Sequence, residues 1–148
     1  MIELATSEVM GRRENLAGHV RDALAAAGLP IAPPDMSHQL ISGGASVRVD
    51  KLADCHAPVR IDWRTNHVLM DAAMEAGVGT PTFVHYMVVL EGMLHVMKEI
   101  LSSEGFETRD STNDFAPFTI EVLRRPDGTS AWTTAGHISS IGFPGARH

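Results

Sequence analysis

Between residues 47 and 63 the chain alternates apolar and charged positions in two short runs that share one pattern. Residues 47–50 read VRVD and residues 59–62 read VRID. Alternation with a period of two, with β-branched residues on one side, is typical of a strand that buries one face. We therefore predict antiparallel strands near 47–52 and 58–63. The residues predicted to point inward are Val47, Val49, Val59 and Ile61.

The other face of this predicted hairpin carries charges of both signs. They belong to Arg48, Asp50, Arg60, Asp62 and Arg64. Opposite charges on neighbouring strands can pair, and salt bridges of this kind are common on a sheet surface. The two aspartates could instead act as an acid/base pair, which is the rarer use of such residues.

Two stretches place apolar residues three or four positions apart, which is the spacing of one helix face. The first covers 8–27, and Gly28 after it is suited to the left-handed C′ position. The second covers 66–76, with Thr65 as its predicted N-cap and Gly77 at its end.

The strongest helical pattern runs from Pro81 to Glu104, with Thr80 as its N-cap and Gly105 as its C′ residue. Its apolar residues form two adjacent seams. The first seam comprises Phe83, Met87, Leu90, Leu94, Met97 and Leu101. The second seam comprises Tyr86, Val89, Met93, Val96 and Ile100. One seam is enough to pack on a sheet, so two seams indicate a helix that is covered from two directions.

The C-terminal third returns to strand patterns. Residues 118–122 read FTIEV, and residues 132–138 would form the return strand after a tight turn in 125–129, which read RPDGT. The resulting order is α-β-β-α-α-β-β. We predict an α+β fold, a two-layer sandwich with an antiparallel sheet of about four strands packed against helices. It would form a single domain over residues 1–148.

Three segments fall outside the predicted helices and strands. Residues 29–46 hold three prolines and a glycine pair, which predicts an irregular connection. Residues 111–114 read STND and have the composition of a turn. Residues 142–148, which read GFPGARH, are expected to form a flexible tail.

Composition favours a soluble cytoplasmic protein. Hydrophobic residues make up 44% and charged residues 20% of the 148 positions, which is ordinary for a folded domain. The one cysteine cannot form an internal disulfide, which fits a reducing compartment. We see no secretory signal at the N-terminus and no uncharged apolar run of about 18 residues, so we expect no membrane partner.

The charge balance also bears on partners. The net charge is −6 and the sequence pI is about 5.7, which repels a phosphate backbone unless a basic cluster overrides it. The basic residues nearest to a cluster are the pairs Arg12-Arg13 and Arg124-Arg125. We therefore expect no nucleic-acid partner.

The candidate for nucleophilic chemistry is Cys55, beside His56 near the tip of the predicted hairpin. A nucleophilic cysteine needs a base within hydrogen-bond distance, but adjacent side chains on an extended chain point apart. The base would have to be another histidine brought close by the fold: His38, His67 or His137. The alternative is a loop cysteine without a chemical role.

Histidine and carboxylate pairs at one-turn spacing are the candidates for metal binding. His67 and Asp71 form one such pair, and Glu91 and His95 form another. Zinc accepts both ligand types, so a divalent metal site is one hypothesis, and His67 with Asp71 could equally serve catalysis. Pairs of this kind also stabilise an exposed helix surface without any metal.

The sequence contains no convincing catalytic set, and no cofactor is predicted. Our first hypothesis is a small non-catalytic protein that acts through association, as a homodimer or with a protein partner. Helix 81–104 would supply the interface through its second seam. The alternative is a small enzyme or metal-binding protein that uses the His/Asp/Glu residues.

Overall fold

A computed structural model of the chain describes residues 3–33, 43–54, 57–111 and 117–125. In chain order its elements are α1 (Ser7–Ala26), β1 (Gly44–Val49), β2 (Val59–Arg64), α2 (His67–Ala76), α3 (Pro81–Ser103), β3 (Glu107–Asp110) and β4 (Ile120–Arg124). The mixed α+β architecture and the order α-β-β-α-α-β-β are those predicted. None of the helices in these ranges is long and apolar enough to cross a membrane.

The four strands form one antiparallel sheet in the order β1-β2-β4-β3. β1 and β2 make the predicted hairpin, with Val49 opposite Val59 and Gly44 opposite Arg64. β4 then pairs with the other edge of β2, with Val59 opposite Val122. The sheet therefore places β4 beside the β1–β2 hairpin, which lies about 60 residues earlier in the chain.

The helices α1 and α3 cover one face of the sheet and enclose the core with it. The four residues predicted to point inward do so, because Val59 and Ile61 are fully buried and Val47 and Val49 pack against the core from its edge. The remaining fully buried large side chains come from α1, α3 and β4: Val20, Leu24, Met97, Leu101, Ile120 and Val122.

The opposite face of the sheet carries the predicted cross-strand salt bridges. Arg48 Nη2 lies 3.4 Å from Asp62 Oδ1, and Arg60 Nη2 lies 3.6 Å from Asp50 Oδ2. In the register Arg48 is directly opposite Arg60, so each arginine reaches diagonally to the other strand's aspartate. Both aspartates are thereby paired with arginine, and this arrangement supports their structural interpretation.

Helix ends follow the local sequence closely. Gly28 (φ 97°) and Gly105 (φ 95°) hold the left-handed C′ position after α1 and α3. In both cases the next residue donates its N–H back into the helix, from Leu29 to Leu24 O and from Phe106 to Leu101 O. This is the Schellman arrangement that glycine at C′ permits.

The predicted N-cap of α2 was wrong by one residue. Asn66 holds that position, and its Oδ1 accepts from the N–H of Val68 at 2.9 Å. Thr65, directly after β2, is buried, and its hydroxyl has no hydrogen-bond partner among the described residues. The cap of α3 is Thr80, as predicted.

The connection predicted as irregular over 29–46 is partly regular. β1 begins at Gly44, inside this range, and Ile31 forms a parallel bridge with Ala45. The N–H of Ala32 donates to Ala45 O at 2.8 Å and the N–H of Ala45 to Pro30 O at 2.9 Å. Residues 30–32, which follow α1, are thus paired with β1 at the edge of the sheet.

The third strand was not predicted. β3 reads ETRD, without an apolar residue, so it shows no alternation of apolar and polar positions. It lies at the sheet edge and owes its place to pairing with β4. The strand predicted at 118–122 begins at Ile120, and the predictions for 132–138 and 142–148 lie outside the described residues, as does most of the 111–114 turn.

Candidate functional site

The first candidate pair lies at the start of α2. His67 is the first residue of the helix and is half-buried, whereas Asp71, one turn later, is exposed. His67 Nδ1 is buried without a hydrogen-bond partner among the described residues. The pair shares one helix, as its spacing predicted, but neither residue lines the cavity that lies beside the second pair.

The second candidate pair lies on α3 beside a cavity of about 270 Å³. Glu91 and His95 line it together with Asp110, which extends the candidate set by one carboxylate from β3. However, the ammonium of Lys98 already lies 2.8 Å from Asp110 Oδ1, and His95 Nε2 lies 3.8 Å from Glu99 Oε1. The Lys98 ammonium is therefore already paired with the Asp110 carboxylate that a metal in this cavity would need as a ligand.

Within the part of the chain that the structure describes, no three histidine, cysteine or acidic side chains come close enough to hold a metal ion. The metal hypothesis stays a prediction without a centre in these ranges. Cys55 and His56 lie outside the described residues. The hypothesis of a catalytic cysteine therefore also stays a prediction.

The second seam of α3 is only partly available as an interface. Tyr86, Val89 and Met93 are half-buried, and Ile100 packs against the core, which leaves Val96 as its exposed member. α2 packs against α3 and α1 packs against its C-terminal part. The interface prediction for these residues is untested by this arrangement.

Most of the exposed large apolar side chains in the described ranges lie on α2, on α3 or between these two helices. Six of the eight large apolar side chains with the greatest exposure in the described ranges fall between residues 68 and 96. We call these six residues the α2–α3 patch: Val68, Met74, Val78, Val84, Val88 and Val96. Sequence reasoning missed Val84 and Val88 because they belong to neither seam, although their four-residue spacing places them on one helix face.

The patch lies on a part of the molecule that contributes little to the core. Among the described residues of α2, Ala73 alone is buried, and no residue of that helix belongs to the core cluster. In α3 the buried residues are Leu90, Met97 and Leu101, so its first two turns lie outside the core. α2 and the start of α3 thus form an apolar helical hairpin at the edge of the sandwich.

Comparison of the chain with models of protein families, with curated proteins and with solved structures found no significant match in any of the three.

Proposed function

We propose that the protein acts through self-association, as a two-fold homodimer in which the exposed face of α3 packs against the same face of a second copy. The observation that carries this proposal is the α2–α3 patch. Val84 and Val88 lie one helical turn apart on α3, large exposed apolar patches are rare on monomeric proteins, and two-fold homodimers are the commonest oligomers. A non-catalytic role and a cytoplasmic location are parts of the same proposal, the latter supported by the single cysteine.

Gly92, in the middle of α3, supports a close approach by another helix. It is exposed, and an added Cβ would meet no atom of the described structure within 4 Å. Glycine inside a helix costs about 0.5–1 kcal/mol relative to alanine. Packing among the described residues gives no reason for this cost. A helix of a second copy crossing at Gly92 would give one.

A two-fold axis at Gly92 would pair complementary residues of two antiparallel helices. Such an axis sets residue 92 minus n opposite residue 92 plus n, so Val88 would face Val96 of the second copy and His85 would face its Glu99. At 100° per residue these four side chains lie within about 40° of Gly92 around the helix. All four are exposed. The pairing joins apolar to apolar and base to acid.

Sedimentation equilibrium at micromolar concentration tests the proposal. For the unmodified chain we expect a measured molar mass that is twice the 16.0 kDa of one chain. Val88→Glu should yield a folded monomer, because Val88 is 60% exposed and the dimer would bury its carboxylate opposite Val96 of the second copy. The matched control is Leu4→Glu, which adds the same charge at a position of 68% exposure on the N-terminal segment and should leave the dimer intact.

Gly92→Leu separates association from folding. The new side chain would enter open space in the monomer and improve helix propensity, so the free energy of unfolding of the monomer should not fall. It would hold two helices apart at the crossing and should abolish the dimer. Gly11→Leu, at an exposed glycine of α1 with the same free space, is the control. A monomeric unmodified chain, or a dimer that persists in both Val88→Glu and Gly92→Leu, would refute the proposal.

A further inference from the structure

The two arginine pairs at opposite ends of the sequence meet at one cavity. It has a volume of about 530 Å³ and lies between the N-terminal half of α1, Pro58 and the end of β4. Arg124 and Arg125 reach this cavity because Val122 pairs with Val59, the first residue of β2, so the end of β4 extends beyond the start of β2. Its lining includes Arg12, Arg13, Arg124 and Arg125 together with apolar residues of α1 and β4.

Two of the four arginines are buried and fixed. Arg13 Nη1 donates to the carbonyl oxygens of Asp50 and Leu52, at 2.6 and 2.8 Å. Arg125 Nη2 lies 3.2 Å from Glu104 Oε2, and its guanidinium stacks 4.7 Å from the centre of the Phe106 ring. Arg125 Nε is buried without a hydrogen-bond partner among the described residues. These side chains form a rigid, positively charged wall.

The other two arginines are exposed and able to change partners. The Arg12 side chain is 67% exposed and pairs with Glu8 at 3.1 Å. Arg124 is 69% exposed and pairs with Glu107, also at 3.1 Å. Exposed ion pairs of this kind contribute little to stability, so each guanidinium can turn to a ligand at small cost.

The lining has a charge opposite to that of the whole molecule. Four of the chain's 12 lysines and arginines line this cavity, and none of the described residues in its lining is acidic, although the net charge of the chain is −6. Three of the four arginines have a carboxylate partner outside the lining, whereas Arg13 is held by backbone carbonyls. The charged side chains that line the cavity are therefore all arginines.

We propose that this cavity binds an amphiphilic organic acid, with an anionic head at the mouth and an apolar body inside. Arginine forks bind a carboxylate or phosphate head in a bidentate manner, and Arg12 and Arg124 would supply them. The apolar body would contact Val9, Leu16 and Leu123. A volume of this size is within the range of small-molecule sites.

Sodium octanoate is a suitable probe, and binding is followed by amide chemical shifts in a nitrogen-15 NMR titration of the full chain. Two matched compounds separate the contribution of the apolar body to binding from that of the charge. Octan-1-ol has the apolar body without the charge, and inorganic phosphate has a charge without the body. We expect octanoate to bind more tightly than either, with shifts concentrated in residues 9–19 and 123–125 and with affinity that falls as salt is added.

Substitution of the exposed arginines tests the anionic contact. Arg12→Gln and Arg124→Gln should each weaken octanoate binding by roughly tenfold, the usual loss for one hydrogen bond to a charged group. Arg48→Gln is the matched control, since Arg48 is also an exposed arginine paired with a carboxylate, on a part of the sheet outside this cavity. Equal binding of octanoate and octan-1-ol, equal affinity in all three variants, or shifts confined to the α2–α3 patch would each overturn the proposal.

Discussion

At the scale of single residues, Glu121 is the least exposed polar or charged residue among those that the structure describes. The residue is 2% exposed, on the sheet face away from the helices. Its Oε1 lies 2.6 Å from Arg109 Nε and its Oε2 lies 4.0 Å from Arg60 Nε. A carboxylate can be buried in this way because two arginines compensate the lost hydration.

Glu121→Gln should therefore destabilise the fold. The amide keeps the shape of the side chain but loses the charge that both guanidiniums face, and we expect a loss of roughly 1.5–3 kcal/mol in the free energy of unfolding. Urea denaturation measures it. Glu8→Gln, which removes an exposed partner of Arg12, should change the same quantity by less than about 0.5 kcal/mol. Equal effects of the two substitutions would contradict this account of Glu121.

At the scale of elements, β1 starts at a glycine, Gly44, that lies against the backbone of residues 30–32. Gly44 has φ 139°, and an added Cβ would lie 2.8 Å from Pro30 O and 2.9 Å from Ala32 N. The neighbouring Gly43 is equally restricted, since its Cβ would collide with Arg64 O. The glycine pair thus lets the chain pass between β2 and the segment that follows α1.

Gly44→Ala should consequently weaken the fold, because the methyl group meets backbone atoms and the residue must keep a positive φ. We expect a loss of at least about 2 kcal/mol in the free energy of unfolding. Gly11→Ala provides the opposite control. Gly11 is an exposed residue of α1 with free space around it, so alanine there should raise the free energy of unfolding by about 0.5–1 kcal/mol. Thermal or urea unfolding should show a lower free energy of unfolding for Gly44→Ala and a higher one for Gly11→Ala. A stabilising Gly44→Ala would refute the close contact between Gly44 and the backbone of residues 30–32.

At the scale of the whole molecule, stability is unevenly distributed along α3. Its C-terminal half contributes Met97 and Leu101 to the core, whereas Val84 and Val88 in its N-terminal half are exposed. Regions with few buried apolar contacts open locally at lower free energy than the core. The helix is continuous from Pro81 to Ser103, so its two halves differ in packing and not in backbone geometry.

Amide hydrogen exchange should show this division. In Val88→Glu, which we expect to be monomeric, the amides of residues 85–90 should exchange faster than those of residues 96–101. The unmodified chain should show increased protection of residues 85–90 as its concentration rises, because a second copy would cover them. Uniform protection along α3 at every concentration would mean that the helix opens as one unit and that nothing associates with its first half.

The sequence alone determined the features that depend on local backbone preference. The β1–β2 hairpin follows from a period of two, which allows one register to set all four inward residues on the core face of the sheet. The ends of α1 and α3 follow from glycine at C′, because the left-handed conformation is costly for other residues. Charge pairing on the outer face followed from the same alternation.

Only the tertiary structure decided the features that depend on what lies next to what. β3 has no apolar pattern, so its place came from its partner β4 and from the pairs Arg109–Glu121 and Arg124–Glu107. The two arginine pairs meet because the sheet order sets β4 beside β2, a long-range contact that spacing along the chain does not contain. The exposure of Val84 and Val88 likewise depends on which faces of α3 are left uncovered when the helix packs on the sheet. The apolar type of a residue does not by itself determine whether the residue is buried.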